Sequence, residues 1–77
     1  MSETIQIKLF ATLSSKLPDD ADNYPLGEKT TVRELLRNLQ IPEKKAKLVF
    51  INGEKKTIDT VLKNGDRLGI FPPVGGG

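Results

Sequence analysis

The residues best placed to do chemistry stand together at one end of the chain, Phe71-Pro72-Pro73-Val74-Gly75-Gly76-Gly77. Two prolines favour an extended, polyproline-like backbone, so this stretch is expected to leave the body of the protein as a short rod. The three glycines that follow carry no side chains and can enter a channel where any Cβ would clash. At the tip sits the Gly77 carboxylate, which is expected to be the working group, with residues 1–71 as the domain that presents it. Glycine runs also serve as flexible linkers or cloning remnants. A cloning remnant has no reason to follow a strand that ends in an aromatic residue and a rigid Pro-Pro spacer.

Nothing else in the sequence offers comparable chemistry. The 77 residues include no Cys and no His, which removes the thiolate and imidazole metal ligands and the usual general base. Phosphate binding, acid–base catalysis and any metal must therefore come from partners. Asp19-Asp20-Ala21-Asp22-Asn23 has the carboxylates of a calcium loop. However, Tyr24 and Pro25 stand where such a loop needs another oxygen ligand and a glycine, so it reads as a solvated loop. Twelve Lys and Arg against ten Asp and Glu leave a net charge of +2, with the basic residues scattered, too weak for a dedicated nucleic-acid binder. With no apolar run of membrane-spanning length and no signal peptide, a cytoplasmic protein without membrane contact is expected.

The elements that must position the tail are written in the periodicities. Thr4 to Ala11 alternates, with Ile5, Ile7, Leu9 and Ala11 on one face and Thr4, Gln6, Lys8 and Phe10 on the other, as in a strand with one buried face. Phe10 is an aromatic on the polar side, either covered locally or exposed for a partner. Leu13 and Leu17 suggest one helical turn before Pro18, and Asn23 to Gly27 a short strand antiparallel to the first. Thr31-Val32-Arg33-Glu34 forms a capping box, and Val32, Leu35, Leu36 and Leu39 then fall at helical spacing until Ile41-Pro42 ends the segment. Glu43 to Lys47 is a charged connector.

Leu48-Val49-Phe50-Ile51 is an apolar run of strand length whose open side the alternation leaves undecided. Asn52-Gly53 supplies a type I′ hairpin turn, with Glu54 to Thr57 as the returning strand. Asp59 to Leu62 suits a capped turn, and Lys63-Asn64-Gly65-Asp66 a second sharp turn. Arg67 to Phe71 is the last strand, with Leu68 and Ile70 inward and Phe71 outward. This order predicts an α+β domain with one mixed sheet and one main helix across one face. If the first and last strands are neighbours, Phe10 and Phe71 form an apolar patch beside the tail's exit, where a partner would grip.

With these pieces in place the chain resembles the MoaD/ThiS family of sulfur-carrier proteins, and more closely its MoaD branch. The resemblance spans the whole chain through Leu9-Phe10-Ala11, the helix after Thr30-Thr31-Val32, Val49-Phe50-Ile51-Asn52-Gly53, Asn64-Gly65-Asp66-Arg67-Leu68, Phe71-Pro72-Pro73-Val74 and the closing Gly76-Gly77, with Gly75 as an extra small residue. It implies a β-grasp, ubiquitin-like fold over residues 1–71 and an extended, flexible tail over 72–77. It also implies a mechanism in which an adenylating enzyme of the ubiquitin-activating type uses ATP to activate the Gly77 carboxylate. Sulfur from a donor protein then converts it to a thiocarboxylate, and the tail, Gly76 included, enters the large subunit of molybdopterin synthase to sulfurate a pterin. On this resemblance Phe10, Phe71, Pro72, Pro73, Val74 and Gly75 contact partners, and the chain itself binds no cofactor. A carrier for thiamine, cysteine or transfer-RNA thiolation, a ubiquitin-like protein modifier, and a plain binding module with an inert tail remain as alternatives.

Overall fold

In the computed structural model, which describes residues 3–73, five strands form one sheet with a single α-helix against it. The strands are β1 (Glu3–Leu9), β2 (Tyr24–Leu26), β3 (Leu48–Ile51), β4 (Glu54–Lys56) and β5 (Arg67–Phe71), in the spatial order β2-β1-β5-β3-β4. Only the central pair β1 and β5 is parallel; β2 runs antiparallel to β1, and β3 antiparallel to both β4 and β5. This is the β-grasp arrangement, in which the first and last strands of the chain lie side by side at the sheet's centre.

The core follows the period-2 patterns of the strands and the helical stripe. Ile5, Ile7 and Leu9 of β1, Val49 and Ile51 of β3, and Leu68 and Ile70 of β5 are buried under Val32, Leu35, Leu36 and Leu39 of the helical segment. Helix α1 (Val32–Asn38) has seven residues, too short to persist alone, and its ends are closely satisfied. The Val32 and Arg33 N–H groups donate to the carbonyls of Thr60 and Ile58 at 3.1 and 2.8 Å. The Glu34 N–H donates to the Thr31 hydroxyl at 3.3 Å. The expected capping box differs in one respect: the Glu34 carboxylate meets the Thr31 hydroxyl at 3.4 Å. At the other end Gln40 turns left-handed (φ 61°). The Ile41 and Gln40 N–H groups reach back to the carbonyls of Leu36 and Arg37 at 2.8 and 3.1 Å, which is the Schellman closure.

Three local expectations need correction. Ala11 does not extend the buried face of β1: it is exposed, with φ 53°, because the chain turns there into a 3₁₀ segment, Ala11–Lys16, and Leu13 takes the inward place. Leu17 is 44% exposed, whereas Leu13 is buried. A 3₁₀ helix repeats every three residues, so positions four apart do not share a face. The turn expected over Asp59 to Leu62 lies earlier, closed by the Thr60 N–H to the Thr57 carbonyl at 3.2 Å. Val61 then bridges Thr31 in antiparallel fashion, which is how residues 58–60 come to cap α1.

Candidate aromatic docking face and tail exit

Two turns fix where β5 starts, and so where it ends. Asn52 and Gly53 take φ 54° and 84°, the pair of left-handed residues a type I′ hairpin requires. The Asn52 side chain then bonds outward: its Oδ1 accepts from the Arg67 N–H at 3.0 Å and its Nδ2 donates to Asp66 Oδ1 at 2.9 Å. The second Asp66 oxygen accepts from the Lys63 N–H at 2.8 Å. On the far side Asn64 Oδ1 accepts from the Thr4 N–H at 2.9 Å, and the Gly65 N–H donates to the Thr4 carbonyl at 2.8 Å. The Lys63–Asp66 turn is thus clamped to both β1 and the β3–β4 hairpin.

From that start the register carries Phe71 to a position opposite Leu48, with its carbonyl accepting from the Lys47 N–H at 2.9 Å. Phe10, one residue beyond β1, donates its N–H to the Ile70 carbonyl at 3.2 Å. The two residues singled out from the sequence therefore meet: the Phe10 and Phe71 rings stack with centroids 4.1 Å apart and planes 1° from parallel. Phe10 lies over Gly69, where a Cβ would sit 3.4 Å from Phe10 Cε2, an ordinary van der Waals contact. Pro72 is half-buried and Pro73 exposed as the backbone leaves the sheet. The positions of Val74, Gly75, Gly76 and Gly77 lie outside the described residues.

Phe50, whose side the alternation of β3 left undecided, belongs to the same face. Once Val49 and Ile51 face the helix, Phe50 must face outward, and its ring meets Phe71 edge-on, with centroids 5.7 Å apart and planes at 83°. The signal was present in the alternation of β3, but only the pairing of Val49 with Ile70 and Ile51 with Leu68 decides which half is buried. The three aromatics, with Lys8, Arg67 and Gly69, line a shallow groove of about 340 Å³. Among the described residues no cluster of three or more Asp and Glu side chains is arranged to hold a metal ion, and no helix is long and apolar enough to cross a membrane. The face offers shape, apolar area and charge. Those are the ingredients of a binding surface.

Comparison with known proteins agrees with this architecture. The ThiS family profile matches residues 7–77. The solution structure of the Haloferax volcanii HVO 2177 protein is similar, with 25% identity, a TM-score of 0.76, and 99% of this chain and 88% of that one covered. A Pyrococcus furiosus protein provisionally assigned as molybdopterin converting factor, subunit 1, shares 27% identity at a TM-score of 0.64, covering 95% of this chain and all (100%) of that one. SAMP1 from Haloferax volcanii, at 24% identity and a TM-score of 0.63 over 96% of this chain and 99% of that one, shares the fold. No curated protein matches the chain. The profile match over residues 7–77, on a mixed sheet with its first and last strands paired at the centre, places the chain in the ThiS family of ubiquitin-like MoaD/ThiS sulfur carriers.

Proposed function

We propose that this protein carries sulfur as a thiocarboxylate on Gly77 and donates it as the small subunit of a molybdopterin synthase. The observation that carries the proposal is the family match running through Gly76-Gly77 in a chain with no Cys and no His. Without a thiol, no side chain can hold transferable sulfur, and the terminal carboxylate is the available place. The similarity to the Pyrococcus furiosus molybdopterin converting factor favours the pterin pathway over the others.

In the proposed cycle residues 1–71 are the handle and 72–77 the reaching arm. A carboxylate becomes electrophilic only when its oxygen can leave. An activating enzyme therefore attaches Gly77 to the α-phosphate of ATP, and pyrophosphate departs. The terminal sulfur of a donor persulfide attacks the acyl carbon and expels AMP. A thiol then cleaves the resulting S–S bond and leaves the thiocarboxylate. In the synthase the glycines enter the large subunit's site while Phe10, Phe71 and the Pro72-Pro73 spacer hold the body outside.

A reconstituted reaction with the activating enzyme, ATP, a sulfur donor, the large subunit and the pterin precursor tests this. Deletion of Gly77 is expected to abolish product while leaving the unfolding midpoint unchanged. Full activity of the deletion variant, or ATP-dependent ladders of the chain on other proteins in place of pterin product, would rule the proposal out.

A further inference from the structure

Resting on the carrier role proposed above, we infer that the outward sheet face takes a protein surface whose apolar socket is bordered by carboxylates, and that Lys8, Lys55 and Arg67 select that partner by charge. Residues directly opposite one another across a sheet share a face. Lys8 and Phe50 both pair with Gly69, and Lys55 pairs with Phe50. One cross-strand row therefore runs Lys8, Gly69, Phe50, Lys55. Arg67, two residues before Gly69 on β5, projects to the same side and lines the aromatic groove with Lys8.

The carboxylates of the strands go the other way. Glu3 lies on the side of Ile5 and Ile7, and Glu54 pairs with buried Ile51. The outward strand face thus carries three cations and no carboxylate in a chain whose net charge is only +2. The ion pairs of the described residues involve Arg33 with Glu43 and Asp59, and Lys56 with Glu54; Lys8, Lys55 and Arg67 take part in none of them.

Covering this patch with a neutral surface would strip water from cations that gain no counterion, whereas carboxylates around the socket restore the lost solvation and speed encounter. A single-stranded nucleic acid would use open ring faces for base stacking. Here Phe10 and Phe71 turn a face to each other and Phe50 meets Phe71 edge-on, which favours a protein.

The test measures association of the full chain with its activating enzyme at low and high ionic strength. The triple variant Lys8→Glu, Lys55→Glu, Arg67→Glu is expected to weaken binding roughly tenfold or more, chiefly through a slower on-rate, and to lose the wild-type salt dependence. All three side chains are exposed, so an unchanged circular dichroism spectrum and unfolding midpoint should accompany the loss. A charge-matched control, Arg37→Glu, Lys44→Glu, Lys45→Glu, changes α1 and the connector instead and is expected to bind nearly as wild type. Tight wild-type binding that ignores both salt and the triple variant overturns the inference and leaves the carrier role standing. Absence of wild-type binding at every salt overturns the carrier role and the inference together. Capture of a single-stranded RNA oligonucleotide by the same face, in competition with the enzyme, overturns the choice of a protein partner.

Discussion

Asn52 shows how much of the site rests on one exposed side chain. It accepts a left-handed φ of 54°, starts the hairpin, and holds both Asp66 and the Arg67 N–H. Asn52→Ala removes both bonds and puts a residue with no local hydrogen-bonding compensation into the left-handed region. A loss of roughly 1–3 kcal/mol is expected in urea unfolding; a loss below about 0.5 kcal/mol would mean that solvent replaces the bonds. The Asn-Gly pair announces the turn in the sequence, but the bonds do not, because their partners lie 14 and 15 residues away. The same holds for the aromatics. Phe10 and Phe71 stood out as apolar residues on outward faces, whereas Phe50, inside an all-apolar run, could be assigned only after β3 was paired with β5.

At the scale of elements, what was legible is what depends on local period and capping. The clean alternation of β1 and β5, the Thr31 cap and the leucine stripe of α1 each declare themselves within a few residues. The segments that went astray are those whose shape is set by distant groups. Residues 58–62 are drawn out along Thr30 to Arg33 to satisfy the first N–H groups of α1, and Ala11 turns out of β1 to let the chain cross to Leu13. The C-terminal closure of α1 carries a further prediction. Gln40 occupies the left-handed position, φ 61°, that the Schellman closure normally gives to glycine. Gln40→Gly relieves that strain and is expected to stabilise the protein by about 0.5–1 kcal/mol, read as a higher urea midpoint at unchanged slope. A lower midpoint would show that the Gln40 side chain contributes more than its backbone costs.

For the whole molecule, pairing the first and last strands at the centre of the sheet puts the chain's exit beside the aromatic face, in the middle of the most heavily braced part of the fold. The expectation of an α+β domain with one mixed sheet is met, and the observed order β2-β1-β5-β3-β4 makes β1 and β5 the neighbours that the sequence had left as a condition. The outward charge asymmetry was hidden in a sequence whose basic residues look scattered, because only the registers sort them by face. A braced body, an aromatic and cationic face, and an exit at its edge fit the proposed role of a handle for partners that act on Gly77. The intact mass of the protein after incubation with its activating enzyme, ATP and a sulfur donor tests that claim most directly. A gain equal to replacement of one oxygen by sulfur, dependent on ATP and localised by fragmentation to Gly77, is the result predicted here. An unchanged mass under conditions where the enzyme consumes ATP with this chain bound, or sulfur located at any other residue, would contradict it.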